Sequence, residues 1–316
     1  MKNRLFIIPL LVFLLASCNT AKGGKKHHPS SDTSLPDEGE EQEEQNTSSS
    51  SSVQQPPEEQ HEPYTVGPVS GRDIDQNGKI IGTSYVYDIP VQNYYDSISD
   101  SLTGTALLNA LNALNNQKRK KLVGYSGTTG AGFYCDNHGE DGVIFGFYDN
   151  TRITKVNSQT VNREHVWPAS RTIGGRNEES DPIEQDCLHI RPTNPATNED
   201  RGNLFYGSSS PNFDAGYEIP EFRGEAARII FYCAIADKQL SIVDQNNISP
   251  AVEGKMGKLS DLLRWHIQYP PTANDLYRNS GAQYKQGNRN PFADHPEYAC
   301  RIWGSTNATT KSICGM

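Results

Sequence analysis

The sequence predicts an α+β fold, in which a small strand–strand–helix unit is embedded in a mostly helical single domain. Apolar residues recur at helical spacing through the C-terminal third of the chain, and short extended runs occupy the middle third. A polar tract near the N-terminus leaves about 250 of the 316 residues to fold, which is the size of one domain. This composition excludes collagen, a coiled coil and a polytopic membrane protein.

The charge of the chain is unevenly distributed. Its formal value of -9 alone argues against a nucleic-acid partner, because phosphate binding is driven by Lys and Arg. Acidic residues up to residue 64 supply about half of that excess, and a charge of roughly -4 remains for residues 65–316. Such a balance permits a polyanionic substrate, since a local basic strip is sufficient to bind one.

The N-terminus has the pattern of an export signal. Lys2 and Arg4 precede an apolar run over residues 5–15, and small residues lead to Cys18. The run is shorter than the ~20 residues of a membrane-spanning helix, and its end resembles a bacterial lipobox. We therefore predict a lipoprotein signal peptide over residues 1–17 and membrane anchoring through a lipidated Cys18. Asn19 after the cysteine favours the outer membrane or cell surface.

The remaining boundaries follow from composition. Residues 18–63 comprise the acylated cysteine and a Ser- and Glu-rich segment with few aliphatic residues, which predicts a disordered tether. Residues 64–84 are an ambiguous lead-in that fits either the tether or a first hairpin. Residues 85–316 are predicted to form the folded domain, and the sequence gives no prediction of its oligomeric state.

The first predicted helix begins near Thr103 and runs for about four turns, with leucines at helical spacing. It ends in four consecutive basic residues, 118–121. Their charge suits the helix dipole, so a solvated last turn and a nucleic-acid contact are both open interpretations. Further helices are predicted over residues 225–240, 258–267 and 273–286.

Between these helices, the sequence predicts strands over residues 143–148, 153–161 and 188–192, then a short helix over 195–203. Glu164 and His165 are adjacent on an extended segment, so their side chains point to opposite sides and suit two different tasks. A hard cation such as Mg²⁺ takes oxygen ligands and retains several waters. A strand–strand–helix unit would bring Asn198 back over Glu164, which predicts one carboxylate and one amide ligand.

Three sequence motifs in this region resemble those of a known protein family. Residues 162–168 (NREHVWP), 186–193 (DCLHIRPT) and 198–203 (NEDRGN) resemble the bacterial endonuclease I family, which are nonspecific nucleases of the His-Me finger, or ββα-metal, class. Residues 223–228 and 286–292 match further motifs in the same order, so the similarity spans about residues 94–303. It implies a ββα-metal finger within the mostly helical domain.

The resemblance also implies site roles. His165 occupies the general-base position, Glu164 and Asn198 the metal positions, and Arg176 resembles an arginine that contacts the scissile phosphate. The implied cofactor is Mg²⁺, or another hard divalent cation such as Mn²⁺ or Ca²⁺. The implied activity is endonucleolytic hydrolysis of DNA, with RNA as a further candidate substrate, to 5′-phosphate ends. The chain departs from the family pattern at Leu188, where relatives more often carry His.

Other interpretations remain open at this point. A catalytically silent nucleic-acid-binding lipoprotein and a metal-dependent phosphatase are alternative functions. His189 is expected to orient neighbouring groups rather than touch phosphate, and Trp167 to lie in the core. Several arginines either pair with carboxylates, for which Asp186 and Asp200 are candidates, or meet the substrate: Arg191, Arg201, Arg223 and Arg228.

Five cysteines follow Cys18, so at least one thiol is unpaired if the others form disulfides. They are Cys135, Cys187, Cys233, Cys300 and Cys314. We predict a disulfide between Cys300 and Cys314, which flank a short polar segment, with two unpaired thiols as the alternative.

Overall fold

A computed structural model of the chain describes residues 77, 79, 91, 93–129, 132–175 and 181–316. All of them belong to one compact unit, Gln60–Met316. The predicted signal peptide, Cys18 and the tether lie outside the described residues, as does nearly all of the lead-in over 64–84. Arg176 also lies outside them.

The described residues form helices joined by short strands, an arrangement compatible with the predicted α+β class. The helices are α1 (Gly104–Lys118), α2 (Pro195–Arg201), α3 (Phe222–Ala236), α4 (Leu259–Gln268), α5 (Ala273–Gln286), α6 (Pro291–Asp294), α7 (Glu297–Trp303) and α8 (Ala308–Ile313). The strands are β1 (Ile144–Phe145), β2 (Arg152–Ile153), β3 (Asn162–His165), β4 (Ile190–Thr193), β5 (Ser241–Ile242) and β6 (Lys255–Met256). They pair as β1–β2 and β3–β4, both antiparallel, and β5–β6, which is parallel.

Helix α3 is the centre of the core. Nearly all of its residues are buried, in keeping with a sequence that is apolar on most faces, and it packs against α1 and α4. The prediction extended this helix to residue 240. The helix ends at Ala236 instead, because Asp237 is extended and its carboxylate accepts a hydrogen bond from the Gln239 N–H, which turns the chain toward β5.

The predicted strand over residues 153–161 is also shorter than expected. Only its first residue lies in β2, because residues 157–160 form a turn. The Asn157 side chain accepts hydrogen bonds from the N–H groups of Gln159 and Thr160, so a local side-chain bond replaces strand pairing there. Extended structure resumes at β3.

Strands β3 and β4 and helix α2 position the residues of greatest interest. In the antiparallel register, Glu164 lies opposite Arg191 and His165 opposite Ile190. The Asn194 side chain then caps α2 by accepting from the Ala196 N–H, and Pro195 occupies the first turn. Helix α2 packs against β3, and Asn198 on α2 and Glu164 on β3 line the same cavity.

The predicted disulfide between Cys300 and Cys314 is present and joins α7 to the residue after α8. Cys135, Cys187 and Cys233 are buried and form no disulfide with a described residue. Among the described residues, no helix combines the length and apolar character that a membrane crossing requires.

Candidate active site

Glu164, His165 and Asn198 line one cavity of about 720 Å³. Two other cavities in the described residues hold only about 20 and 10 Å³. The structure therefore brings together three of the four predicted site residues from two different elements. Arg176 lies outside the described residues, so its role as a phosphate contact stays a prediction.

Three buried polar side chains contact the Glu164 carboxylate: Tyr148, Tyr206 and Arg201. The carboxylate Oε1 accepts a hydrogen bond from the Tyr148 hydroxyl at 2.7 Å and a long one from Tyr206 at 3.5 Å, and lies 3.1 Å from Arg201 Nε. All three contacts use the same oxygen. Within the described part of the chain the other oxygen, Oε2, makes no hydrogen bond or ion pair. Glu164 is only 2% exposed, so its position is fixed.

This environment has two opposite effects on the pKa of Glu164. Burial raises the pKa, and the charge of Arg201 and the hydroxyls of Tyr148 and Tyr206 lower it without cancelling the rise. A positive ion at the carboxylate would favour the charged form further. The buried side chains thus hold a carboxylate whose ionisation depends on what binds beside it.

Asn198 contributes an amide to the lining of the same cavity. Its side chain is half-buried and makes no hydrogen bond to any described residue. One carboxylate and one amide oxygen form the kind of sparse donor set that suits a hard cation with retained waters. Among the described residues, no group of three or more His, Cys, Asp and Glu side chains could hold a metal ion, so these donors do not resemble a zinc cage.

The His165 ring is fixed on several sides. The Tyr125 ring stacks on it at 5.7 Å with an interplanar angle of 26°, and the His189 ring meets it edge-on at 5.9 Å. Its Nε2 lies 4.0 Å from Oε2 of Glu184, a fully buried carboxylate. The ring is 9% exposed and lines the cavity. This combination of orientation and limited access suits a group that exchanges a proton with something in the cavity.

His189 has no exposure and bonds to backbone on both ring nitrogens. Its Nε2 accepts from the Trp167 N–H at 2.8 Å, and its Nδ1 donates to the Ile183 carbonyl at 2.8 Å. Burial lowers the pKa of His189 to about 4, so the ring is neutral near pH 7. These contacts favour the orienting interpretation over a phosphate contact, and Trp167 is fully buried as expected.

The four arginines in question all pair with carboxylates. Arg201 pairs with Glu164, Arg223 with Asp214 and Arg228 with Asp275, and Arg191 pairs with both Asp136 and Glu225. The prediction that Asp186 and Asp200 are their partners is wrong. Asp186 instead accepts hydrogen bonds from Tyr232 and Gln286, and Asp200 is exposed.

Sequence reasoning missed several residues of the site. Tyr125, Tyr148, Tyr206 and Glu184 are distant in sequence from the motif that carries His165, and nothing in their local sequence marks them. Arg163 lies within that motif and lines the cavity; its guanidinium donates to Thr128 and Thr129 and lies 4.6 Å from the centre of the Tyr125 ring.

Comparison with known families decides the relationship. The family model described as Endonuclease I matches residues 107–217 and 217–297, which is more than half of the chain. The chain belongs to the endonuclease I family. This confirms the resemblance carried by the sequence motifs, and it makes the chain a nuclease whose substrate is nucleic acid.

Two relatives within this group are named as extracellular ribonucleases. The one from Bacillus amyloliquefaciens is 32% identical over 236 residues, covering 67% of this chain and 78% of the relative. The one from Bacillus subtilis (strain 168) is 30% identical over 190 residues, covering 53% of this chain and 64% of the relative. Endonuclease I relatives that act outside the cell are consistent with secretion of this chain or its location in the envelope.

Proposed function

We propose that this endonuclease I relative is a metal-dependent endonuclease that hydrolyses phosphodiester bonds of DNA and RNA and leaves 5′-phosphate ends. The observation that carries the proposal is that Glu164, His165 and Asn198 line one cavity. A buried carboxylate, a ring held in place and an unengaged amide are the components that general-base hydrolysis on a cation needs.

His165 is the general base in this proposal. It takes a proton from a water in the cavity, which is worth typically ~10²–10⁴-fold in rate. The rings of Tyr125 and His189 hold its plane. The Glu184 carboxylate, 4.0 Å away, stabilises the positive charge that the imidazole acquires when it takes the proton.

Glu164 and Asn198 would hold the cation, which is Mg²⁺ in this proposal with Mn²⁺ and Ca²⁺ as alternatives. When bound, such an ion polarises the phosphate and stabilises the departing oxygen. Tyr148, Tyr206 and Arg201 occupy one oxygen of Glu164, so they direct the other toward the cavity. Arg176 would add charge stabilisation at the phosphate.

The substrate range follows from the same chemistry. The proposed contacts are made to phosphate, and such contacts carry no direct sequence information, so we propose cleavage without sequence specificity. The printed name of the two extracellular ribonucleases supports RNA as a substrate, and the resemblance of the sequence motifs implies DNA.

We also propose that the chain is held at the cell envelope by acylation of Cys18. The support is the lipobox-like sequence before this residue and the extracellular relatives. Cys18→Ser should release the nuclease from the washed membrane fraction into the medium or periplasm. Retention of the variant protein in washed membranes would refute the anchor without affecting the catalytic proposal.

Incubation of the purified chain with supercoiled plasmid and with single-stranded RNA tests the catalytic proposal. Nicking and RNA fragmentation with Mg²⁺, loss of both with EDTA, and 5′-phosphate ends are expected. Binding without cleavage in every cation would favour the silent nucleic-acid-binding protein. Release of phosphate from a monoester without plasmid nicking would favour the phosphatase.

A further inference from the structure

The end of α1 carries a basic segment, Lys118–Lys121, that the catalytic proposal does not use. Lys120 and Lys121 are exposed, and Lys118 and Arg119 are half-buried. Four consecutive cations are unusual here because the chain as a whole has a formal charge of -9. A local basic strip on an acidic protein is the feature that a polyanionic substrate would require.

The protein offsets the charge of the basic segment only in part, because Arg119 is close enough to the buried Asp186 carboxyl to lower its pKa against the larger effect of burial. Within the described residues none of its four side chains forms an ion pair, although Arg119 donates to the Asn116 side chain and Lys118 lies 5.1 Å from the centre of the Tyr94 ring. Several buried arginines of the domain, by contrast, are paired with carboxylates. The charges of the two exposed residues, Lys120 and Lys121, are therefore available to a ligand.

The backbone of the segment is held in a fixed path. The Lys120 N–H donates to the Gln286 carbonyl at the end of α5 at 2.8 Å. Gly287 follows with φ of 97°, and a Cβ there would approach the Lys118 carbonyl to 2.5 Å. Only glycine allows this approach. Cations on an ordered backbone bind at a lower entropic cost than cations on a flexible loop.

The basic segment lies a few residues before Tyr125, which lines the active-site cavity. Three residues lie between Lys121 and Tyr125, so four backbone steps join them and their Cα atoms are at most ~14 Å apart. Tyr125 lines the cavity and its ring stacks on His165. A strand whose scissile phosphate lies at His165 would therefore pass the basic segment if it left the cavity over Tyr125.

We propose that the basic segment is an extended phosphate-binding surface for the part of the nucleic-acid strand that lies outside the cavity. This rests on the proposed function, since it places the scissile phosphate at His165. The surface recognises the phosphodiester backbone, so it serves DNA and RNA alike. It increases affinity for long strands and contributes nothing to the chemical step.

The double variant Lys120→Gln/Lys121→Gln removes the two exposed positive charges of the segment and tests the proposal. The matched control is Lys238→Gln/Lys311→Gln, which removes the same charge from exposed positions outside the segment. The affinity for a single-stranded DNA and for an RNA is measured as a function of salt concentration in EDTA. Both probes are about 20 nucleotides long, which is longer than a typical single-strand site of ~4–16 nucleotides. Intact probe is verified after each titration.

For single strands the logarithm of affinity falls with a slope of roughly -0.7 per phosphate neutralised. Lys120→Gln/Lys121→Gln should therefore make the slope shallower by about 1.4 for both probes, and the control should leave it unchanged. In steady-state cleavage, Lys120→Gln/Lys121→Gln should raise KM for the long strands and leave kcat unchanged. The rate at which a dinucleotide is cleaved should also be that of the wild type.

An unchanged slope, or an equal change in the control, would overturn the proposal. If the salt slope is unchanged and the Tm of the variant is lowered, the two lysines stabilise the end of α1 and do not bind phosphate, which also overturns the proposal. Binding in EDTA needs no catalysis, so a wild-type chain that binds but never cleaves would refute the proposed function and leave this result standing.

Discussion

The carboxylate of Glu184 faces the imidazole of His165, with Oε2 and Nε2 4.0 Å apart. Glu184 is fully buried and His165 is 9% exposed. Water screens such a contact poorly, so the attraction between a carboxylate and an imidazolium at this distance is worth roughly 4 kcal/mol at an effective dielectric constant of 20. The contact favours the protonated ring that a general base becomes during the reaction.

Glu184→Gln should therefore lower kcat by about 10- to 10³-fold, since a few kcal/mol of this attraction is lost, and leave KM nearly unchanged. Steady-state kinetics on plasmid or RNA would measure it. Glu140→Gln, at an exposed position, is the matched control. A folded Glu184→Gln protein with wild-type kcat would show that Glu184 does not support the base.

Burial has the largest effect on the pKa of Glu164, and the Tyr148 hydroxyl is one of the groups that oppose it. This hydroxyl donates to Oε1 at 2.7 Å, which favours the charged carboxylate, while burial raises the pKa of Glu164. Removing the hydroxyl in Tyr148→Phe should raise that pKa further. Protonated Glu164 is a poor cation ligand, so activity should be lost at a higher pH as the solution is acidified.

The measurement is the pH profile of kcat/KM at subsaturating Mg²⁺. The acid limb of Tyr148→Phe should move to higher pH, and that of Tyr284→Phe, at an exposed position, should stay in place. An acid limb that does not move in Tyr148→Phe would contradict the role of Glu164 as the titrating ligand.

The two proposed cation ligands should be distinguishable from their neighbours by metal titration. Glu164→Gln and Asn198→Ala should each raise the Mg²⁺ concentration for half-maximal rate by about 10-fold or more, as expected when a ligand of a weakly held cation is lost. Asp200→Asn, on the exposed face of the same helix α2, is the control. Titration curves that coincide for all three variants and the wild type would exclude this pair as the cation site.

His189 should make the fold sensitive to acid. Its pKa is lowered to about 4 in the folded chain, from an ordinary value of 6.5, mainly by burial. The unfolded chain therefore binds the proton first as pH falls, so stability is full above about pH 6.5 and is lost down to about pH 4. The limiting loss is about 3 kcal/mol.

His189→Gln keeps a donor and an acceptor but cannot titrate. Urea unfolding at neutral and mildly acidic pH should show a smaller loss of unfolding free energy on acidification than in the wild type. His266, whose pKa burial also lowers to about 4, gives the comparison variant His266→Gln. An acid response in His189→Gln equal to that of the wild type would remove His189 as a source of the effect.

The parts of this fold that the sequence predicted are those with a strong local signal. Helix α5 begins at Ala273 and ends at Gln286 as predicted, because Thr272 and Asp275 form a capping box and Gly287 ends the helix. The motif around Glu164 and His165 likewise predicted a strand. The end of α3 was missed, since a carboxylate bond at Asp237 overrides an apolar pattern that continues to Leu240.

The surroundings of the site had no such local signal. Tyr148 and Tyr206 meet at Glu164 only because three segments far apart in sequence pack together. Glu184 reaches His165 from a 3₁₀ turn in the connection between β3 and β4. A single sequence predicts the reacting residues when a motif marks them. The residues that position the reacting side chains are determined by tertiary packing, which the local sequence does not show.

Cleavage by His165→Ala, measured beside its binding of nucleic acid, shows whether His165 is the general base. We expect a rate lower by about 10²–10⁴-fold at saturating Mg²⁺, with affinity for uncleaved nucleic acid and for the cation retained, because this side chain moves a proton and holds neither. Purified His165→Ala protein that cuts plasmid at the wild-type rate would rule out His165 as the base.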